Sequence, residues 1–333
     1  MSKKHDIIWL ESVDSTNEEA KRHISDIDNL SVLSALEQTS GRGQRGNTWT
    51  SAPGENLMFS IVLKFSDTSA DGGSDVLSPL HARDQFVLNE IASLSVVDFL
   101  SQHGIPARIK WPNDIYVGSK KICGILIENS LRGSEVSSSI IGIGLNINQR
   151  NFNVNLPNPT SMVLEKGISN SKGIPHSASA LSHCNSELSF SHSELSFCHS
   201  ELSFCHSERS EESFNISSCL NDFMDIFKTH VKRFLSASED LRRMYLSCLW
   251  RLNEPSRFID YTSMPSGHLY GPVNISHADS DSGSSVYAGL PAPEGRPFTG
   301  IIRGLSPIGH LLVEDTEKGE LKEFAFKEIG YIL

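Results

Sequence analysis

The sequence predicts an α+β fold with a mixed, largely antiparallel sheet, and three observations support this prediction. Residues 55–65 place large apolar side chains at every second position, as in a strand with one face in the core. Residues 84–102 carry apolar side chains near helical spacing and predict a long core helix. Between residues 107 and 148, β-rich segments are joined by short polar turns. Such short connections favour antiparallel pairs, because parallel strands need a crossover of about a dozen residues.

The first residues predict a strand followed by a helix. Residues 6–10 are mostly apolar and predict a short strand. A helix is expected from Asp14, because Ser15 or Thr16 can cap it and acidic residues occupy its first turn.

The last third of the chain predicts two helices and a small β domain. Residues 219–235 and 238–250 carry apolar stripes typical of a helical pair. Residues 253–333 contain short β-type segments with glycine-marked turns, which predict a small β-barrel. We therefore expect one domain over residues 1–252 and a second over residues 253–333.

Two polar insertions are expected to interrupt these domains. The first covers about residues 165–217 and contains a serine-rich unit of seven residues that begins at Ser186 and has decayed by Ser207. The unit offers no a/d seam for a coiled coil, and its adjacent Cys-His pairs fit zinc spacing poorly. We therefore interpret it as a low-complexity insertion. The second insertion covers about residues 272–296.

Charge and hydropathy exclude several classes of function. The chain has 29 basic and 40 acidic residues, a formal net charge of −11, which argues against bulk binding to nucleic acid or to an anionic membrane. No run approaches the ~18 apolar residues of a membrane span, and the start lacks the apolar segment of a signal peptide. The six cysteines do not suggest a disulfide framework in a chain of 333 residues. We expect a cytoplasmic protein with no nucleic-acid or membrane partner.

Four segments carry unusual combinations of polar residues and glycine: DSTN (14–17), EQTSGRGQRGNTW (37–49), KWPNDIYVGSKKICGILIE (110–128) and IIGIGLNIN (140–148). Each segment alone has an ordinary structural explanation, as a helix cap, a surface loop, a type I turn or a close packing contact. The glycine-rich stretch is not a phosphate-binding P-loop, because no Lys-Ser/Thr pair follows its last glycine.

Together, in this order and spacing, the four segments resemble the biotin–protein ligase family. The most diagnostic part is KWPND, followed seven residues after its aspartate by Lys121 and then by x-x-G-I-L. The resemblance covers residues 6–165 and, more loosely, the C-terminal barrel. It implies the biotin/lipoate ligase α+β fold and a monofunctional enzyme, because no DNA-binding helix-turn-helix precedes the first strand.

The resemblance implies a reaction in two steps. Members of the family join the carboxylate of biotin to the α-phosphate of ATP, release pyrophosphate, and pass the acyl group to a lysine of a carrier protein. The expected substrates and partners are thus biotin, ATP with Mg²⁺, and a biotin carboxyl carrier protein or domain; a homodimer is compatible with the sequence. No metal site made by the protein is expected, because Mg²⁺ commonly binds through phosphates.

The family's site residues map onto matching positions of this chain. Joining two anions requires cations where charge develops, and the implied catalytic residues are Lys121, Arg42 and Asp114. The implied biotin contacts are Ser15, Thr16, Asn17, Gln38, Arg42, Gly43, Gln44, Lys121, Gly124 and Gly142. The implied ATP contacts are Arg42, Trp49, Asn113, Lys121 and Asn146, and Gly144 also matches a position lining the cleft.

The glycine-rich loop is expected to act as a lid, since an acyl-adenylate must be kept from water. Trp49 would offer a stacking face at the nucleotide end. Where some members of the family have a second arginine two residues after Arg42, this chain has Gln44, and that charge is absent.

Three alternatives stay open at this point. A lipoate or octanoate transferase on the same fold would need an apolar tunnel in place of the polar pocket. A non-catalytic regulator that binds biotin would not need Lys121 or Arg42. The serine-rich repeat could instead be the functional part, as an interaction tail.

Overall fold

The computed structural model describes residues 7–65, 77–171, 213–236, 238–262 and 295–332. Most of the two expected insertions, and nearly all of the serine-rich repeat, lie outside these residues. The predictions about them are therefore not addressed by the structure.

The described residues form two sheets and five helices. The strands are β1 (Ile7–Val13), β2 (Val32–Gln38), β3 (Leu57–Lys64), β4 (Leu80–His81), β5 (Ala107–Lys110), β6 (Asp114–Val117), β7 (Lys120–Arg132), β8 (Glu135–Leu145), β9 (Pro255–Asp260), β10 (Arg296–Leu305), β11 (Leu311–Asp315), β12 (Glu320–Phe324) and β13 (Ile329–Tyr331). The helices are α1 (Thr16–Arg22), α2 (Phe86–Gln102), α3 (Met162–Ser171), α4 (Ile216–Ser236) and α5 (Ser238–Ser247).

The larger sheet is mixed and largely antiparallel, which confirms the predicted fold class. Its strand order is β1-β2-β3-β8-β7-β6-β5, and β4 pairs with β8. Strands β1 and β2 are parallel because α1 connects them, whereas the other pairs are antiparallel. Strands β5 to β8 follow one another as hairpins, as their short connections predict.

Helices α2, α4 and α5 form a layer on one side of this sheet, and α1 packs on the other side. The long helix α2 packs against β5, β6 and β7 and also against α4 and α5. Because it is covered on both sides, α2 is buried around most of its circumference. Phe223 of α4 joins the layers, with its ring centroid 5.2 Å from that of Phe59 in β3 and 6.2 Å from that of Phe99 in α2.

The smaller sheet is antiparallel, with the order β12-β11-β10-β9-β13. The expected small β domain is therefore present, and within the described residues its sheet has five strands and is not closed into a barrel. The reason lies at the end of the chain: β13 follows β12 but pairs with β9 at the opposite edge, through Ile329–Tyr331. Strands β12 and β13 thus form the two edges and do not pair with each other.

The smaller sheet is attached to the turn that carries the WPND motif. The indole Nε1 of Trp111 donates to the carbonyl oxygen of Gly309 at 3.0 Å. Arg242 of α5 donates to the carbonyl oxygen of Ser306 at 2.9 Å and pairs with the buried carboxylate of Glu90. Gly309 has φ +90°, and a Cβ at this position would overlap the ring of Phe86. The connection thus depends on a glycine for both conformation and space.

Replacing Gly309 by alanine should destabilise the protein by about 2–5 kcal/mol, from the positive φ and from overpacking against Phe86. Gly319→Ala is the matched control, because Gly319 has φ +68° and open space around its Cβ position. Its cost should be only about 1–2 kcal/mol. Urea unfolding of the two variants measures the difference, and equal losses would contradict the packing argument.

Both described sides of the first expected insertion contact the larger domain. Helix α3 continues to Ser171, beyond the expected start of the insertion. On the other side, the amide of Asn148 donates to the carbonyl oxygen of Phe214 at 2.9 Å and accepts from its backbone N–H at 2.8 Å. The ring of Phe214 also lies 5.6 Å from that of His103. These contacts anchor the chain at Phe214, before α4 begins.

We predict that residues 172–212 are dispensable for folding. When a short glycine–serine linker replaces them, the free energy of unfolding should change by about 1 kcal/mol or less, because closure entropy changes by only ~0.6 kcal/mol per doubling of loop length. Phe214 and Asn148 must be kept, since they form the anchor. Urea unfolding of both proteins checks this, and a much larger loss would show that the segment stabilises the fold.

Candidate active site

A cleft lies above the centre of the larger sheet, where the start of α1, the glycine-rich loop and strands β7 and β8 meet. It brings together thirteen of the residues expected from the sequence: Ser15, Thr16, Asn17, Gln38, Arg42, Gly43, Gln44, Trp49, Asn113, Lys121, Gly124, Gly142 and Gly144. Phe59, Ile125, Leu126 and Ile143 also border it, and of these Leu126 is on the same strand face as the glycines, whereas the side chains of the other three belong to the core on the opposite face.

One end of the cleft is a network of short polar side chains. The backbone N–H of Thr16 donates to Oε1 of Gln38 at 2.8 Å. The hydroxyl of Ser60 lies 2.7 Å from Oγ1 of Thr16 and 2.6 Å from Oδ1 of Asn17. Thr16, Asn17 and Ser60 are each at most 3% exposed. This end can therefore offer fixed donors and acceptors to a ligand from which water is excluded.

The expected capping role of the first polar residues needs correction. Ser15 stands at the N-cap of α1 with an extended backbone, but within the described residues its side chain makes no capping hydrogen bond. Its backbone N–H instead donates to Oδ1 of Asp14 at 2.7 Å. The Ser15 hydroxyl therefore borders the cleft without serving the helix end.

Glycines form the floor of the cleft. Gly124 of β7 and Gly144 of β8 face each other across the strand pair, and the indole of Trp49 lies on both. A Cβ at Gly144 would overlap the indole, and one at Gly124 would lie 3.1 Å from it. A Cβ at Gly142 would overlap the amide of Asn17. The floor must lack side chains for Trp49 and Asn17 to reach their positions.

The cationic end of the cleft is formed by Lys121 at the start of β7. Its Nζ lies 2.7 Å from Oδ1 of Asp114, and 5.7 Å from the ring centroid of Trp49. The backbone of Lys121 is fixed on both sides, by hydrogen bonds with Asn158 at 2.7 Å and Thr160 at 2.9 Å. The side chain is one third exposed, at 33%, so its charge faces the open part of the cleft.

Arg42, the second expected cation, is held by carboxylates outside the polar pocket. Its guanidinium pairs with Glu18 of α1 and, at 2.9 Å, with Glu128 of β7. Lys21 bonds both carboxylates as well, at 2.9 and 2.7 Å. The four side chains form a cluster of two cations and two anions at the mouth of the cleft.

Two expected nucleotide contacts are used to hold the backbone. The Asn113 amide lines the cleft and donates to the carbonyl oxygen of Ile125 at 2.7 Å. Asn146 is only 4% exposed and donates to the carbonyl oxygen of Thr160 at 2.8 Å. Asn146 is not among the residues lining the cleft, so its contact with a nucleotide stays a prediction.

The glycine-rich loop folds over the cleft as a short hairpin. Trp49 donates from its backbone to Gly41 at 2.9 Å, and Gly43 donates to Asn47 at 2.7 Å. With Trp49 inside, the cleft keeps about 50 Å³ of free space, enough for a few water molecules. Outside the loop lies an open groove of about 650 Å³, bordered by Phe326 and Lys327. A larger ligand can occupy the cleft only if the indole moves.

Sequence reasoning missed four residues next to the cleft: Ser60, Glu18, Glu128 and Lys110. Ser60 is a buried polar residue in an otherwise apolar strand, which was an available signal. Glu128 ends the KKICGILIE segment and Lys110 begins KWPND, but neither pattern shows which residues they contact. Their partners come from elements distant in sequence.

Lys110 sits among aromatic rings beside the cationic end. Its Nζ lies 3.0 Å from the hydroxyl of Tyr116, 5.1 Å from the ring centroid of Tyr331 and 5.9 Å from that of Trp250. Burial lowers the pKa of Lys110 from 10.5 to about 8, although the charge of Asp114 opposes this shift. The ammonium is thus stabilised less than in water.

Lys110 should make the stability of the protein rise with pH above about 8. Between pH 8 and 10.5 the folded protein releases this proton while the unfolded chain keeps it, so the free energy of unfolding increases with pH. The gain is at most about 3 kcal/mol, from 1.36 kcal/mol per pKa unit. Urea unfolding from pH 7.5 to 10 should show this rise relative to Lys110→Met. Lys120→Met, at an exposed lysine, serves as control, and parallel pH profiles of wild type and Lys110→Met would refute the prediction.

The described residues contain neither a cluster of metal ligands nor a helix suited to a membrane. No three Cys, His, Asp or Glu side chains in the described ranges are grouped so that they could hold a metal ion. In the same residues, no helix combines the length and the apolar character needed to cross a membrane.

Comparison with known proteins found similarity over the part of the chain that carries this cleft. Residues 9–146 match the Biotin/lipoate A/B protein ligase family. The chain is 37% identical over 120 residues to the bifunctional ligase/repressor BirA of Bacillus subtilis, a match covering 36% of this chain and 33% of that protein. It is 33% identical over 141 residues to the biotin–[acetyl-CoA-carboxylase] ligase of Paracoccus denitrificans, covering 41% of this chain and 53% of that protein. The matches thus span a third to about half of these relatives.

The whole fold is similar to a solved structure as well. The biotin protein ligase from Aquifex aeolicus, in complex with biotin and ATP, superposes with a TM-score of 0.59 over 98% of this chain and 97% of that one. The two sequences are 22% identical, and the similarity establishes the fold.

Proposed function

We propose that the chain is an ATP-dependent biotin–protein ligase, and the match of residues 9–146 to the Biotin/lipoate A/B protein ligase family supports this. It would activate biotin to biotinyl-5′-AMP and then transfer the acyl group to a lysine of a biotin carboxyl carrier protein or domain. We also propose that the catalytic domain covers residues 1–252 and the smaller domain residues 253–333.

The observation that carries the proposal is that one cleft contains both a polar pocket and a lysine cation. The ureido ring of biotin has N–H donors and a carbonyl acceptor, which suit the network of Thr16, Asn17 and Gln38. Leu126 and the glycine floor suit the apolar part of the bicyclic ring and the chain. The carboxylate would then lie toward Lys121, at the opposite end.

In the first step, an oxygen of the biotin carboxylate attacks the α-phosphorus of ATP, and the bond to the β-phosphate breaks to release pyrophosphate. Lys121 would stabilise the negative charge that gathers at this junction. Arg42 could contribute if it exchanged Glu18 and Glu128 for the phosphate. Mg²⁺ would reduce the charge of the polyphosphate and bind mainly through its oxygens, since the described residues offer no acidic cluster for it.

In the second step, the amine of the carrier lysine attacks the acyl carbon, AMP leaves, and the amine loses a proton. Asp114 lies beside Lys121 and could orient the amine or accept this proton. The adenylate must be kept from water until the carrier arrives, and the hairpin of Gly41 to Trp49 is suited to cover it. Trp49 would leave the glycine floor and stack at the nucleotide end.

The same arguments address the partners and the alternatives. ATP and carrier proteins are available in the cytoplasm, where we expect the enzyme to work; a homodimer stays a prediction. A lipoate or octanoate transferase is disfavoured because Thr16, Asn17 and Gln38 would surround an apolar chain. A regulator without activity is disfavoured because the cations Lys121 and Arg42 are present.

The first step can be tested alone, through biotin-dependent exchange of pyrophosphate into ATP. Lys121→Ala should lower this exchange by about 10²–10³, because it removes one preorganised cation from the developing charge. Lys120→Ala is the matched control, since Lys120 is adjacent and 46% exposed. Urea unfolding should show that both variants remain folded.

Two outcomes would change the proposed function. Exchange driven by lipoate or octanoate and not by biotin would favour the acyl transferase class. Biotin binding by the wild type without exchange with any acid would favour the regulator.

A further inference from the structure

Glu128 contacts the polar pocket and the lid at the same time. Its Oε2 accepts from Nδ2 of Asn17 at 2.7 Å. Its Oε1 accepts from Lys21 at 2.7 Å and from Arg42 at 2.9 Å. Burial of Glu128 favours a higher pKa, but the hydrogen bonds from Lys21 and Asn17 outweigh it and lower the pKa. The carboxylate is therefore charged at neutral pH and can only accept.

This carboxylate determines how the Asn17 amide is oriented. Nδ2 donates to Glu128 and, at 3.3 Å, to the carbonyl oxygen of Leu126, so both of its N–H groups point to acceptors. Oδ1 then faces the hydroxyl of Ser60 and lies against Gly142 on the cleft floor. The reverse orientation would place Oδ1 against two acceptors, which would leave buried polar groups unpaired. Asn17 therefore presents an acceptor to the cleft.

The same carboxylate restrains the lid through Arg42. Glu128 and Glu18 bind the guanidinium from β7 and α1, on either side of it. When the lid opens and Arg42 moves away from the cluster, Lys21 alone faces the two carboxylates, and one negative charge is no longer balanced. Opening the lid thus has an electrostatic cost, and an anion in the cleft could offset this cost by binding Arg42.

We propose that Glu128 is a positioning residue that turns the oxygen of Asn17 toward the cleft and holds the lid closed through Arg42. The part of this proposal that concerns the ligand rests on the proposed function: the substrate should be an anion that also offers an N–H group to Asn17. The contacts of Glu128 themselves do not depend on which ligand binds.

The contribution of Glu128 to lid closure can be measured without any ligand. Limited trypsin digestion, followed by mass spectrometry, reports cleavage after Arg42, with the exposed Arg83 as internal reference. Glu128→Gln keeps the size and an acceptor but removes the charge, and Glu128→Met removes both. Both variants should be cleaved after Arg42 roughly two to five times faster than wild type, the range expected for one partly exposed ion pair. Glu19→Gln is the matched control, because Glu19 pairs with Arg22 on the same helix.

The effect on the pocket is measured by calorimetric titration with biotin. Glu128→Met should weaken binding about ten-fold more than Glu128→Gln, since only glutamine still offers an acceptor to Asn17. A purely structural role would make both variants lose binding in proportion to their loss of stability. Urea unfolding of each variant separates these cases.

The two measurements distinguish failure of this inference from failure of the proposed function. If the wild type neither binds biotin nor supports exchange, the proposed function fails, and the trypsin rates still decide whether Glu128 holds the lid. Unchanged cleavage after Arg42 in both variants would overturn the inference. So would equal biotin affinity of Glu128→Met and Glu128→Gln.

Discussion

Close approach of side chains to the backbone of β7 and β8 is the constraint on which the site depends. Gly124, Gly142 and Gly144 leave the centre of the sheet without side chains, so Trp49 and Asn17 lie directly on the strands. A cleft over a sheet of ordinary residues would be shallower by the height of a side chain. The glycines thereby create depth in the middle of a sheet whose other side is packed against α2.

Charge compensation is the second property of the site. Lys121 has Asp114 as its partner, and Arg42 has Glu18 and Glu128. Without these carboxylates, the two cations would repel each other across the cleft. An incoming anion must compete with the existing partners, which favours ligands that carry several charges in the right places. The arrangement therefore favours a ligand with several negative charges over a ligand with one.

Local sequence patterns predicted the elements but not their partners. The alternation in residues 57–63 and the helical spacing in α2 depend on nearby positions, so strand and helix were both identified. The small β domain was predicted as well, but nothing local reveals that Ile329–Tyr331 pairs with β9 and not with β12.

The cleft residues were found through a family motif, whereas the contacts that organise them were not. Glu128 lies 111 positions from Asn17 and 86 from Arg42, and their meeting depends on the order of the strands. For Asn146, the resemblance implied a ligand contact, which stays a prediction, and it did not reveal that the amide donates to the carbonyl oxygen of Thr160. The motif identified residues of the cleft, and tertiary contacts determine which polar atoms of each side chain are already used.

Trp49 has a further consequence for how tightly any ligand can bind. The indole covers the glycine floor and so competes with any ligand for this space. Because it is part of the same chain, its effective concentration does not depend on the protein concentration. An observed dissociation constant is then the intrinsic one divided by the fraction of molecules in which the glycine floor is uncovered. Affinity measured on this protein would reflect an internal equilibrium as well as the pocket itself, and a partner that stabilises the uncovered state would tighten binding without touching the ligand.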